Sequence, residues 1–181
     1  MTRILALSGS LRHGSFNTAL ARAVQAQAPE GVTVEVATLH GIPLYDGDDE
    51  VAHGIPEAVQ KLRAQILGHD GLLMVTPEYN NGIPGVFKNG IDWLSRSGPG
   101  LFDGLRVAMI GASPSGFGTL LSQNHWLPVL RTLKTQLWTE GRMMVSRANT
   151  LIDTNGELSD PATLKQVGDF VGGFARHLED R

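Results

Sequence analysis

The segment Ser8-Gly9-Ser10-Leu11-Arg12-His13-Gly14-Ser15-Phe16-Asn17 gathers short hydrogen-bond donors around one full positive charge. Ser10, Ser15 and Asn17 supply the donors, and Arg12 supplies the charge. The segment joins a short apolar run to an Ala-rich stretch with helical spacing. Backbone N–H groups at such a strand-to-helix junction can wrap an anion, and the helix dipole favours negative charge there. The chemistry this suits is the binding of a terminal phosphate monoester. A nucleotide P-loop does not fit: Gly9 and Gly14 have its spacing, but Ser15-Phe16 stands where Lys-Ser/Thr is required. The dinucleotide fingerprint Gly-x-Gly-x-x-Gly is also missing, which favours a single phosphate over a pyrophosphate.

A second segment, Thr76-Pro77-Glu78-Tyr79-Asn80-Asn81-Gly82-Ile83-Pro84-Gly85, suits a different task. Two prolines stiffen its ends, and Asn81-Gly82 is expected to form a tight turn. A stiff loop with outward N–H groups can bind the edge of a flat heterocycle. Tyr79 offers an aromatic face, and Glu78 and Asn80 offer backbone or side-chain hydrogen bonds. In the stretch that follows, Val86, Phe87, Gly90, Ile91 and Leu94 share one helical face. Lys88, Asp92 and Arg96 recur at four-residue intervals on the other, where they could form ion pairs.

These loops need a scaffold, and the rest of the chain reads as one. Ile4-Leu5-Ala6-Leu7-Ser8 and Gly71-Leu72-Leu73-Met74-Val75 have the continuous apolar character of buried parallel strands. Val32, Val34 and Val36 alternate with polar residues, as in a half-buried strand. Further strands are expected over Leu105–Ile110 and Arg142–Val145. Helices are expected over Phe16–Ala28, Pro56–Leu67, Pro84–Ser95, Leu120–Leu137 with a kink at Pro128, and Asp160–Leu178. Residues 40–55 read as a loop, and 46–50 within it as a solvated acidic stretch. Strand and helix alternate about five times, which argues for a parallel sheet covered by helices on both faces. Ligands of such sheets sit beyond the carboxyl ends of the strands. The loops there are 8–17, 76–84 and 111–118, all rich in Gly, Ser, Asn and Pro.

Composition removes several function classes. There is no cysteine, so thiol redox chemistry, disulfides and thiolate metal sites are out; redox chemistry would need a borrowed cofactor. The formal net charge of −3 gives no basic excess for nucleic acid. The six histidines, at 13, 40, 53, 69, 125 and 177, have no metal-ligand spacing and read as surface or loop residues. No Gly-x-Ser-x-Gly elbow occurs. No signal-peptide pattern or membrane-length apolar run appears, so a cytoplasmic protein with no membrane partner is expected.

Gly9-Ser10-Leu11-Arg12 with Ser15 and Asn17, then Pro77-Glu78-Tyr79-Asn80, then Pro84-Gly85 with Lys88-Asn89 and Asp92-Trp93, resemble the NAD(P)H-dependent FMN reductases. That flavodoxin-like group includes quinone, chromate and azo reductases. The resemblance implies one α/β domain over 1–181, a three-layer sandwich whose five-stranded parallel sheet has the order 2-1-3-4-5. It implies FMN and NAD(P)H as cofactors. Ser10, Arg12, Ser15 and Asn17 would hold the FMN phosphate. Pro77, Glu78, Tyr79 and Asn80 would line the isoalloxazine, and Ser113 and Gly116 would approach from the other side. Two electrons would pass from NAD(P)H through FMN to a small acceptor such as a quinone, free flavin, azo compound or chromate, with no catalytic side chain and no metal. Family members are usually dimers or tetramers. The chain departs from the family after the fourth strand, where Gly118-Thr119 replaces a Gly-Gly pair. The alternatives are a flavodoxin-type electron carrier, against which the mild charge argues, and a non-catalytic flavin-binding protein.

Overall fold

The computed structural model describes residues 1–180. Arg181, the last residue of the expected 1–181 domain, lies outside the described residues. In chain order the elements are β1 (Thr2–Ser8), α1 (Phe16–Ala26), β2 (Val32–Ala37), α2 (Gly47–His53), α3 (Glu57–Leu67) and β3 (Gly71–Val75). They continue with α4 (Gly85–Arg96), β4 (Arg106–Ala112), α5 (Leu120–Thr132), β5 (Gln136–Leu137), β6 (Met143–Val145) and α6 (Pro161–Glu179).

The sheet is parallel, in the order β2-β1-β3-β4-β5, with β6 also paired to β4. Successive strand residues point to opposite faces, and the central strands show it directly. Ile4, Ala6, Leu73, Val75, Ala108 and Ile110 pack beneath α1 and α6. Leu5, Leu7, Leu72, Met74, Val107 and Met109 pack beneath α3, α4 and α5. Both faces are apolar, which is why these strands carry unbroken hydrophobic runs. Trp93 and Trp126 are fully buried on the second face, and Trp138 is buried on the first.

Four features differ from the sequence expectation. The expected fifth strand comes in two pieces: β5 pairs with Arg106–Val107 of β4, and β6 pairs with Ile110–Ala112. The helix expected to Leu137 ends at Thr132 with Pro128 inside it, and the chain reverses at Lys134, whose φ is 59°. Residues 47–53, expected as loop, form α2. This helix buries no side chain, so no apolar stripe announces it in the sequence. Asp46 caps it by accepting from the Asp48 N–H at 2.9 Å, and Tyr45 and Arg96 both bond Glu50. Those two partners hold the Glu50 carboxyl below its ordinary range. Arg96 therefore pairs across to α2, while Lys88 and Asp92 pair along α4 at 2.7 Å as the spacing suggested. Finally, His69 lies in the loop after α3, as expected, but its side chain is not at the surface. Its imidazole is buried between the Gln65 carbonyl at 2.6 Å and the Glu35 carboxylate at 3.5 Å.

The closing helix supplies a pH-dependent test. Asp160 caps α6 by accepting from the Thr163 hydroxyl at 2.7 Å and the Thr163 N–H at 2.8 Å. These bonds lower its carboxyl pKa. Bonds from the 155–157 backbone, that of Glu157 foremost, do the same for Asp153. A lowered native pKa means stability that is complete above the unfolded-state pKa and is lost as pH falls through the native one. Asp160→Ala is therefore expected to lower the melting midpoint by a few degrees at neutral pH. The gap to the parent should narrow below about pH 4, where the parent carboxyl takes up its proton. A gap that stays constant from neutral to acid pH would contradict the capping role.

Candidate functional site

The carboxyl ends of β1, β3 and β4 present three loops to one edge of the sheet. The first loop turns at Gly9, whose N–H bonds the Val75 carbonyl at 2.9 Å. A Cβ on Gly9 would stand 2.1 Å from Phe87 Cδ1, so glycine is what lets this loop lie against α4. Ser15 is the N-cap of α1 and accepts from the N–H groups of Asn17 at 3.2 Å and Thr18 at 3.3 Å. The N–H groups of Ser15 and Phe16 have no helical carbonyl within reach. Ser10 is buried and accepts from the Arg12 N–H at 3.2 Å. Arg12 is exposed; it donates to the Gly14 carbonyl at 3.0 Å and lies 5.6 Å above the Phe16 ring. It meets no carboxylate among the described residues.

The second loop is a two-residue hairpin. Tyr79 and Gly82 exchange backbone bonds of 3.2 and 3.0 Å, and Asn80 and Asn81 between them have φ of 50° and 61°. The turn is one residue earlier than Asn81-Gly82 suggested. Two asparagines occupy the left-handed positions, and Gly82 closes the turn with negative φ. Tyr79 is half exposed, and Pro77 is buried.

The third loop is tied to the end of β6. The Ser113 N–H bonds the Val145 carbonyl at 3.0 Å, and the Ser113 carbonyl accepts from the Ala148 N–H at 3.1 Å. Thr119, where the family pattern has glycine, is fully buried; its hydroxyl accepts from Gln123 Nε2 at 3.1 Å.

Together the loops enclose a cavity of about 220 Å³. Ser10, Arg12, Ser15 and Asn17 line one end, Pro77, Glu78 and Tyr79 another, and Ser113 the third side. Asn80 and Gly116 do not line it. Asn80 sits at the exposed hairpin tip, and Gly116 lies in an exposed turn with no atom within 4 Å of where its Cβ would be. A larger cavity of about 890 Å³ lies on the flank of β6 and α6. Its lining mixes acidic and basic side chains along α6, Asp169, Arg176 and Asp180 among them.

Two side chains in the small cavity have structural partners that the sequence could not reveal. The Asn17 amide makes a two-way bracket with Ala112: Nδ2 donates to the carbonyl at 2.8 Å, and Oδ1 accepts from the N–H at 2.9 Å. The partners are 95 residues apart, so Asn17 welds the start of α1 to the end of β4. Glu78 Oε2 accepts from the N–H groups of Leu121 at 2.9 Å and Ser122 at 3.0 Å, at the start of α5. The site also includes Phe16, Ala112 and Pro114, which the loop chemistry did not single out. Only Phe16 had a signal, an aromatic ring between Ser15 and Asn17 of the phosphate-type cluster.

The arrangement fits a ligand that presents a phosphate at one end. Short hydroxyls, first-turn N–H groups and a guanidinium free of carboxylates converge at the α1 end, where an anion is stabilised. Among the described residues, the only carboxylate lining the cavity, that of Glu78, is turned onto α5 and accepts its N–H groups instead. Among the described residues there is no group of three or more His, Cys, Asp or Glu able to hold a metal ion, and no helix is long and apolar enough to cross a membrane.

Residues 2–150 match the family described as NADPH-dependent FMN reductase. An NAD(P)H-dependent FMN reductase of Pseudomonas aeruginosa is 41% identical over 158 residues, covering 87% of this chain and 85% of that one. A 2-hydroxy-1,4-benzoquinone reductase of a Burkholderia species is 36% identical over 180 residues, covering 99% and 97%. Among solved structures, a flavoenzyme NAD(P)H:(acceptor) oxidoreductase of Paracoccus denitrificans superposes with a TM-score of 0.86 at 29% identity, covering 99% of this chain and 98% of that one.

Proposed function

The chain belongs to the NADPH-dependent FMN reductase family, and from that premise we propose that it is a two-electron reductase whose acceptor is a small quinone. The observation that carries this reading is the convergence of the three loops on one cavity that has an anion cradle at one end and a stiff hairpin at the other.

FMN, when bound, would supply two-electron redox chemistry between NAD(P)H and an acceptor. The protein's part is position and electrostatics. Arg12, the hydroxyls of Ser10 and Ser15 and the N-terminus of α1 hold the phosphate. Asn17 keeps that cradle at a fixed distance from the third loop. The backbone of Pro77, Glu78 and Tyr79 lines the flavin edge, and Asn80 sets the hairpin that stiffens it. Ser113 borders the opposite side, and Gly116 leaves the rim open. The N–H groups of Glu78 and Asn80, which make no backbone bond, would favour negative charge on the bound ring. No acid–base side chain is assigned a proton transfer. The half-exposed Tyr79 leaves room for donor and acceptor to take turns at one open face.

The curated name of the Burkholderia relative supports a benzoquinone as the acceptor class. The same reading takes residues 1–181 as a single cytoplasmic domain that works as a homodimer or homotetramer. The test is turnover. FMN-loaded protein should oxidise NADPH or NADH with saturation in a benzoquinone and in proportion to the flavin bound. Saturable flavin binding without quinone-dependent oxidation would replace this reading with that of an electron carrier.

A further inference from the structure

The first turn of a helix leaves four N–H groups without helical partners, and a cap normally comes from the residue just before it. α5 lacks such a cap. Thr119, at the N-cap position, makes no side-chain cap bond, and its hydroxyl accepts from Gln123 instead. The cap comes from Glu78, whose Oε2 takes the Leu121 and Ser122 N–H groups from 43 and 44 residues upstream. A carboxylate there also meets the positive end of the helix dipole.

A second set of bonds lies directly beneath. Thr76 Oγ1 pairs with Ser122 Oγ at 3.0 Å and accepts from Trp126 Nε1 at 3.0 Å, and all three side chains are fully buried. At the far end of the hairpin, His125 Nδ1 lies 3.7 Å from where a Cβ on Gly82 would stand. The end of β3, the second loop and the first two turns of α5 are therefore joined at two levels. Buried bonds fix the bottom, and Glu78 fixes the level of the cavity wall. The hairpin itself is exposed and closed only by the Tyr79–Gly82 pair, so it owes its position to these ties.

We infer that Glu78 is a positioning residue that acts through α5: by capping that helix across the cleft, it sets the backbone of residues 77–79 where the flavin site needs it. It is neither a proton donor nor a side-chain ligand of the ring. The inference rests on the flavin site proposed above. Its consequence is reciprocal coupling, because whatever orders the second loop also orders the start of α5.

The test uses FMN affinity, thermal melting and amide hydrogen exchange at Leu121 and Ser122. Glu78→Ala is expected to weaken FMN binding about tenfold, since two charge-assisted bonds are lost. Glu78→Gln keeps one acceptor oxygen and should lose less. In the parent, FMN should slow exchange at both amides; in Glu78→Ala it should not. Adding Leu121→Glu to Glu78→Ala places a carboxylate on the first turn of α5 without tying it to the loop. This double variant should regain melting temperature and leave FMN binding weak. Recovery of both would overturn the inference and reduce Glu78 to a helix cap. Parent-like FMN affinity in Glu78→Ala would also overturn it, with the flavin site intact. No FMN binding by the parent protein would instead remove the functional reading on which the inference stands.

Discussion

Gly111→Ala is expected to destabilise the protein by at least about 3 kcal/mol and to abolish flavin binding. Gly111 is buried, next to last in β4, where the third loop begins. A Cβ there would stand 2.1 Å from the Thr76 carbonyl oxygen and 2.2 Å from Thr119 Oγ1. A flexible side chain could move aside, but the first neighbour is backbone. That carbonyl belongs to the first residue of the second loop, and the second neighbour is packed at the start of α5. Relief of the clash must therefore part β3 from β4 at the site, where the Thr76 N–H bonds the Ile110 carbonyl at 2.8 Å. Gly85→Ala is the control. No atom lies within 4 Å of its Cβ position, φ is negative, and alanine is the better helix former, so no loss of stability is expected. Equilibrium unfolding of both variants checks the pair, and equal stabilities would contradict the packing described for Gly111.

Arg12→Ala has the opposite profile, a large effect on binding and little on stability. The guanidinium is exposed, its contacts are local, and no element depends on it. Removing charge-assisted bonds to a phosphate should weaken FMN about 10- to 100-fold. Riboflavin, which lacks the phosphate, separates this from a general defect: parent and variant should bind it equally, and the parent should bind it more weakly than FMN. Arg12→Lys should recover only part of the loss, because an ammonium cannot make the paired contacts of a guanidinium. Equal loss of FMN and riboflavin would place Arg12 against the ring end of the ligand instead.

The scaffold was legible because it rests on local signals. Ile4–Ser8 and Gly71–Val75 are buried on both faces and read as such, and the short-donor cluster from Ser10 to Asn17 does begin a helix. What escaped depends on distant partners. Arg96 has the four-residue spacing to pair with Asp92 but reaches Glu50 in a helix with no buried face. The fifth strand divides because β4 offers pairing at both its ends, which the letters of 136–145 do not disclose. At the site, residue types pointed to the right place but not to every role. Asn17 and Glu78 are short-range hydrogen-bonders by type, yet their partners lie at Ala112 and at Leu121–Ser122. Sequence spacing shows which loops meet at a sheet edge; it does not show which side chains are already satisfied there.

The most direct measurement is an anaerobic titration of the FMN-loaded protein with NADPH, followed through the flavin's visible absorbance. The structure and family membership predict complete bleaching by one equivalent, and return of the colour when one equivalent of a benzoquinone is added. A flavin that stays bound and yellow through excess NADPH and NADH would contradict the account.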